Sequence, residues 1–319
     1  MNRIARHWMA PFVLALALAG GGLTACGGSA SEDGSGASSE MHFVYVNWVE
    51  GIAITHMLHE VLEDSLGVNV NMTRVNGGGV AFSSVATGSA DIFVEAWLPT
   101  THKDAWAKYN DRVHKLGVTY PGTSVGLVVP AYMDIGHISE LANYREALDG
   151  TINGIESGAA INEQTRQILE NNGITGFEVL PSSGPAMVSA LQREINNREP
   201  IVITGWKPHW MWSRFDLTYI PGAKTDDTPV FGAPENIYTV VRDGFEAEYP
   251  DTVVRFLRAF EITEPQLNRL MEGFQPDSEQ EPLPFARQWI RNHRDVVHGW
   301  LEAARSDTAE VAADSLAAR

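Results

Sequence analysis

From His42 onward the chain alternates short β-branched or aromatic runs with stretches whose apolar residues recur at intervals of three and four. That alternation narrows the possible folds to α/β architectures, with mainly parallel sheets and helices on both faces. His42–Asn47 (HFVYVN) reads as a strand, and Ile54, Met57, Leu58, Val61 and Leu62 then repeat at helical spacing. A strand over Val68–Val75, a Gly77-Gly78-Gly79 turn, a helix near Val80–Thr87 and a strand over Asp91–Ala96 complete a βαβαβ beginning. Gly126–Pro130 (GLVVP) is a short buried strand that stops at a proline. Strand signals return at Thr151–Ile155, Phe177–Leu180, Ile201–Thr204, Leu217–Ile220 and Ile237–Arg242, with helices between, and the remainder is mostly helical. This order predicts two α/β lobes. Residues 41–130 plus 235–319 form the first, and residues 131–234 form a second inserted between them. Crossings at GLVVP and IYTVV then make a two-strand hinge; a single continuous doubly wound sheet is the competing arrangement.

The N-terminus reads as a targeting segment. Arg3 and Arg6 precede an apolar run from Met9 to Leu18, which is shorter than the roughly 20 residues a bilayer span needs. Small residues lead to Leu23-Thr24-Ala25-Cys26, an ending that resembles the bacterial lipobox. Residues 1–25 are therefore expected to be a signal peptide, with Cys26, the only cysteine, as the lipid attachment point. Residues 27–40 (GGSASEDGSGASSE) hold no large apolar side chain, so residues 26–40 form a flexible tether averaging roughly 20 Å end to end. The expected location is extracytoplasmic, in the periplasm or at the cell surface, anchored to the membrane.

A single cysteine excludes a disulfide scaffold, and 319 residues suffice to bury a core without staples. A net charge of −17 argues against nucleic-acid binding and against unaided adhesion to anionic lipid. No GxSxG elbow, P-loop or GxGxxG is present, which removes the usual hydrolase, NTPase and dehydrogenase signatures. His56, His59 and Glu60 (HMLHE) imitate a helical zinc pair, but the histidines are three apart where metalloproteases set them four apart. The expectation is a protein that is not an enzyme, with no catalytic residue, cofactor or metal.

Tryptophan placement carries more information. Trp48 ends the first strand, Trp97 the third, and Trp206 follows another, each beside glycine, proline or a helix start. Ligands of open parallel sheets sit beyond the carboxyl ends of strands, so these indoles are expected at one rim. Clustered indole faces attract a cation that has no N–H to donate, a quaternary ammonium above all. Gly51 and Ile52 are read as opening the following helix, whose unpaired amides would suit a carboxylate. Ser157-Gly158-Ala159-Ala160 and Ser182-Ser183-Gly184-Pro185 offer further glycine-marked helix starts. Ordinary capping is the alternative use of all three.

The runs VNWVEGIAIT, VEAWLPTTH, GLVVPAY, GIESGAA, SSGPAMVSAL and VITGWKPHWMW resemble the glycine betaine and related osmoprotectant substrate-binding proteins of ABC importers, from about Val44 to Met271. The resemblance implies a two-lobed periplasmic-binding-protein fold (type II-like) that closes on a trimethylammonium compound. Its partners would be that small ligand, a membrane permease and, through it, an ATPase; the protein itself is expected to be monomeric. It implies an ammonium cage of Trp48, Trp97 and Trp206, carboxylate contacts from the Gly51 and Ile52 amides, and His209 as a side-chain donor. Glu50 stands where choline-binding relatives place an acidic residue, a place where betaine binders also carry Glu. A fourth aromatic, Tyr120 or Tyr132, remains open, as do choline, carnitine, proline betaine and ectoine as cargo, or a surface hydrolase of choline esters. Trp210, Trp212, Trp289 and Trp300 are expected to pack.

Overall fold

The computed structural model describes residues 40–222, 224–225, 228–229, 235–274 and 281–305. The expected signal peptide, Cys26, nearly all of the tether and the tail after Arg305 lie outside the described residues.

The first sheet is built from β1 (Glu40–Val46), β2 (Asn69–Val75) and β3 (Ile92–Leu98), with β1 parallel to both others. Between them run α1 (Val49–Leu66) and α2 (Gly78–Ala86). All seven residues of β3 are buried, as expected of a strand covered on both faces. Helix α1 is buried from Val49 to Leu62 except at Ile52, and it stops at Gly67, whose φ of 68° supplies the left-handed C-cap. After α3 (Lys103–Tyr109) comes β4 (Val113–Pro130), an 18-residue strand that serves both lobes.

Short 3₁₀ turns over Ala131–Met133 and Ile138–Tyr144 lead into the second lobe. There follow β5 (Thr151–Asn153), α4 (Ala160–Asn171), β6 (Glu178–Leu180), α5 (Gly184–Asn197), β7 (Ile203–Lys207), α6 (Met211–Arg214) and β8 (Leu217–Tyr219). A small ribbon pairs β9 (Lys224–Thr225) with β10 (Thr228–Pro229). Strand β11 (Glu235–Arg242) then returns to the first sheet between β3 and β4. The chain continues through α7 (Phe245–Glu248), α8 (Asp251–Ala259), α9 (Glu264–Met271), α10 (Pro282–Asn292) and α11 (Arg294–Arg305). Helices α9 and α10 pack on α1, and Trp289 and Trp300 stack at 6.2 Å between α10 and α11.

Strand order is β2-β1-β3-β11-β4-β7-β5-β6, with β8 beside β4. Pairing is parallel at β1/β2, β1/β3, β5/β6 and β5/β7, but β11 is antiparallel to both its neighbours and β4 is antiparallel to β7 and β8. The first part of β4 pairs with β11 as far as Thr123↔Glu235, and Ser124 onward pairs with β7. The change of partner thus falls at Thr123–Ser124. GLVVP, read from sequence as the crossing, lies inside the second sheet. The part of β4 before Gly126 was not legible as strand because Gly117, Pro121 and Gly122 break its apolar pattern. The register shifts where β11 faces these residues absorb the breaks.

One hydrophobic core fills the first lobe and continues across the cleft to Val188, Leu191 and Ile203 of the second, and a smaller one, including Leu127, Ile138, Ile152, Ile168 and Val202, lies within the second. At the cleft the lobes touch backbone to backbone. Gly77 has φ 115°, and a Cβ there would lie 2.6 Å from Gly158 O.

Candidate functional site

Trp48, Trp97 and Trp206 line one cavity between the lobes. Trp48 is the N-cap residue of α1, while Trp97 and Trp206 belong to the last turns of pleat in β3 and β7 rather than to the loops after them. All three are buried, at 6%, 3% and 4% exposure, so each indole reaches the cavity from a rigid strand or helix end.

A loop of few residues orients Trp97. Its backbone N–H donates to His102 Nδ1 at 3.0 Å, and His102 N–H donates back to Trp97 O at 2.9 Å. Glu235, where the chain returns from the second lobe, accepts from the amides of Thr100 (3.2 Å) and Thr101 (2.9 Å) and from the Thr101 hydroxyl. His102 also stacks on Trp48 at 5.8 Å and 19° and lines the cavity. Burial pushes its pKa down to about 3, so the ring is neutral. With Nδ1 accepting, the proton sits on Nε2, a buried donor that has no protein partner.

Trp48 is fixed from the opposite lobe. Its Nε1–H donates to Glu156 Oε2 at 3.1 Å, and Glu156 Oε1 accepts from the Gly184 amide at the start of α5 at 3.2 Å. Trp97 Nε1 and Trp206 Nε1 are buried without an acceptor in hydrogen-bonding geometry.

Two further carboxyls lie behind the tryptophans. Glu50 lines the cavity, Glu95 stands behind it on β3, and both are 1% exposed. Gly51 is required here, because a Cβ on it would fall 1.8 Å from Glu95 Oε2. Burial raises the pKa of both acids. Glu50 is pushed up to about 7, and Glu95 is held well above the carboxylate range by burial and by the charge of Glu50.

The helix termini differ from the sequence-based expectation. Helix α1 begins at Val49, so Ile52 N–H donates to Trp48 O at 2.9 Å and is already used; Gly51 lies in the first turn, where amides lack a helical acceptor. Ile52 lines a second, neighbouring cavity with Asn47, Gly184 and His209, and Trp206 stands between the two. His209 accepts from Met211 N–H through Nδ1 at 3.0 Å, and burial pushes its pKa down to about 3. The helix start that opens on the tryptophans is that of α4. Ala159, Ala160 and Ile161 line their cavity, and the first helical hydrogen bond runs only from Asn162 N–H to Ala159 O. The Ala160 and Ile161 amides therefore point the positive end of a 12-residue helix dipole at the site.

Neither Tyr120 nor Tyr132 lines the tryptophan cavity; the Tyr132 hydroxyl donates to Glu199 O at 2.6 Å on the surface. Trp212 Nε1 donates to Trp206 O at 2.7 Å and its ring packs on Tyr219, while Trp210 is buried against His209. Sequence reasoning overlooked His102, Glu95 and Glu156. His102 was visible in VEAWLPTTH as the polar residue closing the loop after Trp97, and Glu95 as an acid within an apolar strand. Among the described residues no group of three or more His, Cys, Asp or Glu side chains could hold a metal, and no helix is long and apolar enough to cross a membrane.

Comparison with known proteins agrees with this architecture. Residues 40–292 match the family model described as the substrate binding domain of ABC-type glycine betaine transport systems. A curated relative, the glycine betaine/carnitine transport binding protein GbuC of Listeria monocytogenes, is 33% identical over 159 residues, covering 49% of this chain; the match spans about half, 51%, of that relative's length. Lactococcal OpuAC, solved closed and complexed with glycine betaine, superposes with a TM-score of 0.74 at 35% identity, covering 82% of this chain and 99% of that chain. The glycine betaine/L-proline-binding protein ProX of Borrelia burgdorferi gives 0.74 at 27% identity, covering 83% and 99%. A choline binding protein solved with choline gives 0.74 at 25%, covering 84% and 97%. With its two-lobed fold and a family match over most of its length, the chain belongs to the family of substrate binding domains of ABC-type glycine betaine transport systems.

Proposed function

We propose that the protein is an extracytoplasmic solute-binding protein that captures glycine betaine or a closely related trimethylammonium compound and delivers it to an ABC importer. The trimethylammonium group sits against the faces of Trp48, Trp97 and Trp206, each contact contributing about 0.5–2 kcal/mol. The carboxylate is received by the Ala160 and Ile161 amides and the Nε2–H of His102. Gly51 supplies a further uncommitted amide close by, and His209 and Ile52, across Trp206, shape the adjoining space. Because the tryptophans come from both lobes and the α4 amides from the second, the full set of contacts forms only on closure, and the closed form is what the permease engages. The protein acts as a monomer, held to the membrane through Cys26 and its tether. Its lobes divide near Thr123 and Glu235.

One observation carries this reading: indoles from both lobes share a cavity with a helix N-terminus and a buried, partnerless histidine donor. Choline has no carboxylate and would leave those donors unsatisfied, so the cavity favours a betaine. Isothermal calorimetry with glycine betaine is the direct test. Trp97→Ala and Trp206→Ala are each expected to weaken binding at least about tenfold, or ~1.4 kcal/mol. Unchanged affinity in both variants would refute the cage.

A further inference from the structure

Glu50 and Glu95 meet side chain to side chain with no compensating cation. Glu50 comes from the first turn of α1 and Glu95 from the middle of β3, and the absent side chain of Gly51 is what lets them approach. Glu50 Oε2 and both oxygens of Glu95 make no close hydrogen bond; the Trp206 and Trp97 indole N–H groups face Glu50 and Glu95 respectively and favour their ionised forms, but burial outweighs them. Beyond these indoles, the elements packed around the pair contribute Glu156 from the segment after β5, which adds negative charge. Among the described residues no Lys or Arg acts on the pair.

Two ionised carboxylates cannot share such a space, so Glu95 keeps its proton and donates it to Glu50. The second proton, on Glu50, is exchanged around pH 7. Below that pH the pair is neutral, and above it the pair carries one negative charge. Glu50 lines the tryptophan cavity, so the charge lies beside the place where a ligand cation would sit.

We propose that the Glu50–Glu95 pair is the counter-charge of the site, and that it gives up one proton to solvent when a cationic ligand group settles among the tryptophans. This rests on the reading of the cavity as a quaternary ammonium site. The proton leaves the Glu50 carboxyl, the Glu95 O–H stays bonded to the resulting carboxylate, and no other bond changes. The sign follows from linkage: a ligand cation favours the ionised pair, so affinity rises with pH up to about 7 and levels off above it. His102 and His209 stay neutral throughout this range and add nothing to the slope.

The test is calorimetry of glycine betaine binding to the whole protein near pH 6, in buffers of different protonation enthalpy. Wild type is expected to release about half a proton per ligand and to bind roughly tenfold more weakly at about pH 5 than at about pH 8. Glu95→Gln gives Glu50 an amide donor in place of an acid, so this variant should bind without proton release and more tightly than wild type near pH 6. Glu50→Gln should lose the pH slope and bind more weakly near pH 8. A purely structural role would leave the slope intact. The infrared carbonyl band of a buried protonated carboxyl, expected in ligand-free wild type above neutral pH and absent from Glu95→Gln, checks the pair without ligand. Binding with the same heat in every buffer, or a wild type without that band, overturns the proposal and leaves the cage reading standing. A failure of every quaternary ammonium compound to bind, with the band present, overturns the ligand reading and the coupling together.

Discussion

The Trp48 indole N–H and the Glu156 carboxylate form a 3.1 Å hydrogen bond whose two ends belong to different lobes. The orientation of the Trp48 indole is therefore set from the opposite lobe. Glu156→Ala is expected to weaken glycine betaine binding about tenfold, chiefly through faster dissociation, since the bond exists only after closure. Stopped-flow tryptophan fluorescence separates the two rates. An effect confined to the association rate would contradict this assignment.

Gly51→Ala directs a methyl group into the fully buried Glu95 carboxyl. Either the start of α1 or the carboxyl pair must shift, which should cost about 2–4 kcal/mol of stability and most of the binding. Gly79→Ala, at a helical position whose Cβ meets nothing within 4 Å, serves as the control and should fall within about 0.5 kcal/mol of wild type in urea unfolding.

Arg242, at the end of β11, donates through Nε to Asp91 Oδ1 at 2.7 Å and through its other nitrogens to Glu248. Asp91 in turn accepts the His42 amide at 2.7 Å, so one acid joins the edges of β1, β3 and β11. Arg242→Met leaves that mostly buried carboxylate without a counter-charge. A loss of about 2–3 kcal/mol is expected by chemical denaturation at neutral pH, and it should shrink when Asp91→Asn is added.

His102 has its pKa lowered by burial from the ordinary 6.5 to about 3. A base held neutral in the fold stabilises fully above the unfolded value, and this contribution is lost as pH falls from 6.5 towards 3, because the unfolded chain takes up the proton first. The raised pKa of Glu50 acts in the opposite sense, its stabilisation fading as pH rises from 4.5 to about 7. The histidine effect is therefore isolated as a difference. Between about pH 6 and pH 4 the unfolding free energy of wild type should fall more steeply than that of His102→Gln, by about 1.4 kcal/mol per pH unit. Parallel pH curves would rule out the neutral, Nε2-protonated ring.

The tryptophans were legible in the sequence because a strand followed by a helix leaves few places for the residue between them, and Trp48, Trp97 and Trp206 occupy such places. The helix starts were less so. Glycine marks a turn or a close approach as readily as a first helical residue; Gly51 proved to be the space for Glu95, while the start facing the cavity is carried by Ala160, which has no local signature. Strand β4 was only partly visible because glycine and proline interrupt it at residues that bulges accommodate. Glu95 and Glu156 could not be placed from periodicity, since what defines them is a contact with a residue 44 or more positions away in sequence. A buried acid opposite a glycine becomes visible only when the two strands of argument, chain order and space, are joined.

The contact of Gly77 with Gly158 is formed by main chain on both sides, so it has no rotamers with which to yield. It acts as a mechanical stop: the lobes can approach until these two peptide groups meet and no further. The narrowest width of the cleft is thereby fixed by covalent geometry, and discrimination among ligands of slightly different size falls to the walls of the cavity, whose tryptophans set its shape.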